Sequence, residues 1–155
     1  MNLVSWGMQQ KRAMRSLVVI ITFIWLGMVL GSSFLEAPLK FTAPNITLPL
    51  GLGIGKIVFG ALNKVEILFS IVLMVCFVIG KFPIGTNYLF IVVVLVVLLQ
   101  TIWLIPALNN RADLIISGEE VPKTYHHITF VVLEFTKTIF LLFAGIRFLR
   151  SWKRI

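Results

Sequence analysis

The chain has 155 residues, of which 59% are hydrophobic and only 13% charged, well below the roughly one-quarter charge of a soluble domain. Together with a mean hydropathy of +1.01, this excludes an ordinary water-soluble enzyme and points to one compact membrane bundle. The net charge of +8 does not describe a nucleic-acid surface. The basic residues cluster at the two chain ends beside apolar runs, where they mark membrane orientation and contact with anionic lipid headgroups.

Residues 1–16 carry Lys11, Arg12 and Arg15 with no acid, and residues 17–30 are apolar apart from Thr22. Gly31 and Ser33 would suit a signal-peptide cleavage site, but the segment is read as a first transmembrane helix over about residues 13–36. Pro38, Pro44 and Pro49 follow, then Gly51, Gly53 and Gly55. That composition predicts a loop or re-entrant segment on the far side of the membrane. A second helix is expected over residues 53–80, longer than the hydrocarbon layer, and a tight turn over 81–85. Residues 87–108 form the clearest span, close to the ~20 apolar residues that a crossing needs. The polar stretch 109–124 contains Arg111, Asp113, Glu119, Glu120 and Lys123. A fourth helix over 125–148 leads into Arg147, Arg150, Lys153 and Arg154. The expected fold is thus all-α: a single domain, 1–155, forming an integral membrane bundle of four transmembrane helices.

Charge counting orients it. With four spans, Lys11, Arg12, Arg15, Lys81, Arg147, Arg150, Lys153 and Arg154 share one side, against Lys40, Lys56, Arg111 and Lys123 on the other. Eight cations against four put both termini in the cytoplasm, and the plasma (inner) membrane is the expected location. Arg147, Arg150 and Arg154 are spaced by three and four, so on a continued helix they form one lipid-facing basic stripe at the inner headgroups.

Ionisable residues inside the spans are costly and need a partner or a use. Counted at 1.5 Å per residue from the cytoplasmic markers, Glu66, Gln100 and Glu134 all lie about 20 Å up. Lys137 is one turn from Glu134 on the same face, a spacing that suits an ion pair. A second level about 30 Å up brings Glu36, Asn63 and His127 to one height, with Lys40 and Lys64 nearby. Lys40 and Lys64 can pair with Glu36 and Glu66 or snorkel outward. One reading is an internal network that fixes helix register. The other is that two carboxylates with one ammonium leave a spare negative charge, which must bind a proton or a cation.

No metal centre is expected. Glu36, Glu66, His126 and His127 are ligand types for iron, zinc or copper, but no Glu-x-x-His pair of the di-iron bundle kind occurs. No catalytic motif or nucleotide loop is present, and no cofactor is specified. The lone Cys76 in an apolar run reads as a small buried hydrophobe. Trp6, Trp25, Trp103 and Trp152 read as packing and interfacial belt.

The pattern Gly31-x-x-Phe34-x-x-x-Pro38, then Gly55-x-x-x-Phe59, a polar stretch with Arg111, and His127 opening the last helix resembles the small four-helix membrane proteins of the transmembrane protein 205 kind, whose bacterial relatives are mostly of unknown function. The resemblance implies a four-span integral membrane protein, and it carries over no catalytic residue. Three roles fit the residues. The first is a polar intramembrane cleft, lined by Glu36, Lys40, Asn63, Glu66, Gln100, His127, Glu134 and Lys137, that binds or moves a small solute or ion as a homo-oligomer. The second is a non-catalytic accessory subunit of a larger membrane complex, and the third is a membrane metal-dependent oxidoreductase.

Overall fold

The computed structural model describes residues 3–82 and 84–152, with side chains described for residues 6–82 and 88–150. All regular structure among them is helical. The first helix runs Leu3–Val29, continues through a π-helical turn at Leu30–Glu36 and Ala37–Leu39, and closes in a 3-10 turn at Lys40–Thr42. The second is Leu48–Gly80. The third is Ile84–Leu99, π-helical over Gln100–Leu104, then Ile105–Ile116. The fourth is His126–Trp152. Four of these stretches are long and apolar enough to cross a membrane: Trp6–Thr42, Leu48–Gly80, Tyr88–Ile116 and His126–Arg150. Large apolar side chains are exposed along every one, including Ile24, Ile71, Ile102 and Phe143, as suits helices that turn their outer faces to lipid.

The helices form a ring. The first packs between the second and the fourth. The third runs obliquely, with its early half against the fourth and its Ile105–Ile116 half against the second. Val18, Trp25, Val29, Leu73, Cys76, Val93, Val97, Leu141 and Ala144 fill the centre toward the end that carries the chain termini. That end is closed by Phe77, Phe82, Phe90 and Phe148, with ring centroids 5.1–6.1 Å apart. Such aromatic pairs add roughly 0.5–1.5 kcal/mol each beyond the area they bury.

The Pro/Gly-rich stretch differs from the loop or re-entrant segment expected of it. Only residues 43–47 leave helical geometry. Pro49 sits in the first turn of the second helix, where its missing N–H is not needed, and Thr47 caps that turn by accepting from Leu50 N–H at 3.3 Å. Pro38 and Pro106 each follow a π-helical turn, in which Ala37 N–H reaches back to Ser32 O and Ile105 N–H to Gln100 O. A widened turn just before the ring relieves the clash that otherwise kinks a helix. Gly51 and Gly55 are buried within the second helix. A Cβ at Gly51 would lie 2.2 Å from the Phe41 ring, and one at Gly55 would lie 3.0 Å from Lys40 Nζ, so these glycines let the first helix approach closely.

The helix limits move as well. The first starts at Leu3 rather than near 13, carrying Lys11, Arg12 and Arg15 on a helical extension. The third continues past Pro106 to Ile116 instead of ending at 108. It stops in a Schellman turn: Gly118 takes φ 86°, Gly118 N–H bonds Ile115 O, and Glu119 N–H bonds Leu114 O. The second ends in the same motif with Lys81 at φ 47° and Phe82 N–H on Phe77 O. Phe82 thereby folds back over Gly80, where a Cβ would meet its ring at 2.4 Å.

Gly80→Ala should therefore cost about 1–3 kcal/mol, as overpacking of a filled site does. Gly60→Ala, with no atom within 4 Å of the added Cβ, should be neutral or stabilising by up to ~1 kcal/mol from helix propensity. Thermal unfolding of the two variants in one detergent checks the contrast, and equal melting shifts would contradict this packing.

A buried ionic cluster as the candidate functional site

Each helix presents one inward stripe at spacings of three and four. On the second helix the buried positions are Gly51, Gly55, Leu62, Asn63, Glu66, Ser70, Leu73, Cys76 and Gly80. On the fourth, Phe130, Glu134, Lys137, Leu141, Ala144 and Phe148 are buried. On the third, Val93, Val97, Gln100 and Leu104 are. The ionisable residues stand within these stripes, so the helical repeat that buries leucine also buries them.

Glu66, Gln100, Glu134 and Lys137 meet at the centre. The Lys137 side chain is 0% exposed. Its ammonium lies 2.5 Å from Glu66 Oε1 and 2.7 Å from Glu134 Oε1, and it donates to Gln100 Oε1 at 3.0 Å. All three N–H donors of the lysine are thus engaged. Gln100 Nε2 donates to Glu134 Oε1 at 2.8 Å, which fixes the amide with its oxygen toward the lysine. The first helix closes the cluster: Trp25 Nε1 donates to Glu66 Oε1 at 3.0 Å, and Ser33 Oγ donates to Glu134 Oε2 at 2.7 Å. Every helix supplies at least one member.

Lys137 rather than Lys64 is the cation that serves Glu66, and Lys64 is exposed. Trp25 and Ser33 are additions that neither composition nor depth counting identified. Trp25 is wholly buried, hence no part of an interfacial belt, whereas Trp6 and Trp103 are exposed and Trp103 stands edge-on to His126 at 5.9 Å. Both π-helical turns border the cluster, one holding Ser33 and the other opening at Gln100. Such turns re-aim side chains that a regular helix would rotate past.

The upper set does not form one layer. Glu36 pairs with Lys40 at 3.4 Å, and Lys40 Nζ also lies over the Phe41 and Phe59 rings at 5.6 and 5.4 Å. Asn63 instead donates to Thr101 Oγ1 at 2.8 Å. His127 is exposed and takes no part in either pair. Among the described residues no three His, Cys, Asp or Glu side chains, Glu36, Glu66, His126 and His127 included, gather as a group that could hold a metal ion. Arg147 and Arg150 are exposed near the end of the fourth helix, with the Arg147 guanidinium 5.5 Å from the Tyr88 ring centroid. Lys153 and Arg154, the last cations of the basic tail, lie outside the described residues.

Fold and site together define a four-helix, membrane-type bundle built around an internal lysine and two glutamates. A comparison with protein-family models, with curated proteins and with solved structures finds no match for this chain, so the role of the cluster is read from its own chemistry.

Removing one partner of a buried ion pair strands the other charge, at about 3–5 kcal/mol. Lys137→Met leaves two buried carboxylates without their cation and should cost at least that much. The triple change Lys137→Met/Glu66→Gln/Glu134→Gln strands nothing and should recover most of the loss. Unfolding titrations in mixed micelles compare the two, and a triple variant no more stable than the single one would refute the ionic account.

Proposed function

We propose that this is an integral membrane protein that binds a small cation, a proton or a monovalent metal ion, at Glu66 and moves it between the bundle and the aqueous phase. The observation that carries the reading is a charge imbalance in a buried site: two carboxylates face one ammonium. Ionised together they leave one negative charge uncompensated where a bare charge is expensive, so one further positive charge neutralises the cluster. Glu66 is the natural acceptor. Lys137 and Trp25 both act on its Oε1, so a further positive charge is directed to Oε2. Its side chain, at 4% exposed, is also the most accessible of the ion-paired three.

The surrounding polarity supports access from the end away from the termini. Toward that end the apolar packing is interrupted by Asn63–Thr101 and by Glu36–Lys40. Toward the terminal end the centre is aliphatic and aromatic apart from Thr22 and Ser70, whose hydroxyls each bond a carbonyl of their own helix. The excess of Lys and Arg at the end that carries the termini supports a cytoplasmic orientation for both, and the protein is proposed to lie in the plasma membrane. A unit whose centre is filled by its own cluster has no wide lumen, and passage across the membrane accordingly uses a homo-oligomer.

One observation favours a second reading. All three donors of Lys137 are satisfied, and all four helices contribute, as in a purely structural clamp. A non-catalytic accessory subunit of a larger membrane complex would need just that.

Glu66→Gln separates the two. It leaves Lys137 balanced by Glu134, so the bundle should still fold. Proteoliposomes loaded with a pH-sensitive dye, or assayed with a monovalent-ion probe, should lose essentially all protein-dependent cation movement. Wild-type vesicles without such movement, from a protein that copurifies with a second polypeptide in mild detergent, would establish the accessory role instead.

A further inference from the structure

The cluster distributes its hydrogen-bond donors unevenly between its two carboxylates. Glu134 has both oxygens engaged: Lys137 and Gln100 Nε2 donate to Oε1 at 2.7 and 2.8 Å, and Ser33 Oγ donates to Oε2 at 2.7 Å. On Glu66, Lys137 lies 2.5 Å from Oε1, and Trp25 Nε1 donates to that same atom at 3.0 Å. We propose that the cation exchanged here is a proton rather than a metal ion, carried by Glu66 Oε2, while Glu134 stays ionised as the permanent counter-ion of Lys137. The assignment rests on the cation-binding role proposed above.

Hydrogen bonding selects the carboxylate. An ionised carboxylate only accepts, whereas a protonated oxygen becomes a donor. A proton on Glu134 would break or reverse the bond from Ser33, or set a donor against Lys137 and Gln100. A proton on Glu66 Oε2 leaves both Oε1 contacts in place, with Oε1 as the carbonyl oxygen. The proton comes from a hydronium ion, which becomes water as the O–H bond forms, and returns to water by the reverse step. Charge agrees with this choice. The charged groups set about Glu66 are Lys137 and, through it, Glu134, both on the fourth helix. The first and third helices present the neutral Trp25 and Gln100. With Glu66 neutral, one ammonium faces one carboxylate.

The same geometry disfavours a metal ion. On leaving water such an ion exchanges its hydration shell for several protein oxygens, as in the carbonyl rings of potassium filters. The groups turned toward these carboxylates are instead donors: the N–H groups of Lys137, Trp25 and Gln100 and the hydroxyl of Ser33. They present their positive ends to any cation, and Gln100 Oε1 already accepts from Lys137 at 3.0 Å. A proton needs one oxygen and no shell.

Infrared difference spectra of the full chain in liposomes, recorded between acid and alkaline buffer, test this. Subtracting the Glu66→Gln spectrum removes the bands of exposed acids such as Asp113, Glu119 and Glu120 and should leave one carboxylic-acid C=O band. Trp25→Phe keeps Glu66 but takes one donor from its carbonyl oxygen, so the band should move to higher wavenumber. That shift is read against wild type directly and serves if Glu66→Gln folds poorly. Exchanging sodium for potassium at fixed pH should leave the band in place. A band unmoved in Trp25→Phe would overturn the placement on Oε2. Suppression of the band by sodium or potassium would overturn the proton assignment and leave cation binding at Glu66 standing, with a metal ion as its substrate. No band at any pH, together with vesicles that move neither protons nor metal ions, would remove the cation-binding role itself.

Discussion

The ammonium of Lys137, shared between Glu66 and Glu134, is the interaction on which the bundle depends. Helices in a bilayer gain little from hydrophobic contact with one another, because lipid tails are equally apolar. Their association rests on close packing and on polar groups that have no better partner. Here one lysine engages residues of the second, third and fourth helices directly, and the first is tied in by Trp25 and Ser33. The ions lose several kcal/mol each on leaving water, and only a geometry that satisfies nearly every donor and acceptor offsets this. The clamp therefore also specifies register, since a one-residue shift of any helix would carry its polar group off the centre.

Much of this was legible in the sequence because membrane helices obey two simple constraints. Rise per residue converts position into depth, and an ionisable group inside a span must turn inward. Those rules bring Glu66, Gln100, Glu134 and Lys137 to one place without further information. They fail where a third variable enters. Depth says nothing of azimuth: counting residues brings Glu36, Asn63 and His127 to one height, yet Asn63 faces Thr101 while His127 is exposed. Composition says nothing of local helix geometry either. Pro38 and Pro49 read as breaks, but each sits where a first turn or a π-helical turn removes its penalty. Ser33 entered the site for the same reason, because the π-helical turn that holds it redirects the side chain toward Glu134.

Proline, π-helical turn and cluster are consequently one device. The turn at Leu30–Glu36 and the turn at Gln100–Leu104 lie on the first and third helices, which stand across the ring from each other with the ionic residues of the second and fourth between them. Each turn is followed by a proline that a regular continuation would not tolerate without strain. The prolines thus hold the wide turns in place, and the wide turns hold Ser33 and Gln100 on Glu134. Substitutions at Pro38 or Pro106 would act on the cluster from a full turn away without touching any of its atoms.

The distribution of packing gives the bundle a direction. Between the cluster and the terminal end lie Val18, Leu73, Val93, Val97 and Leu141, then the Phe77, Phe82, Phe90 and Phe148 rings. The buried hydroxyls of this region, Thr22 and Ser70, donate to carbonyls of their own helices, Val18 O and Glu66 O. Between the cluster and the opposite end, Leu62, Leu104 and Phe130 are interleaved with Asn63, Thr101, Glu36 and Lys40, and the helices are joined by only a few residues at 43–47. Rearrangement that exposes Glu66 is cheaper on this second side, where polar groups can exchange partners with water and the rings meet as two separate pairs, Phe34–Phe135 and Phe59–Phe130, rather than as one connected layer. Under the function proposed above, a cation that reaches the cluster would enter and leave by the same side unless the aromatic layer parts, and that layer, rather than the ionic residues, would decide between simple binding and passage across the membrane.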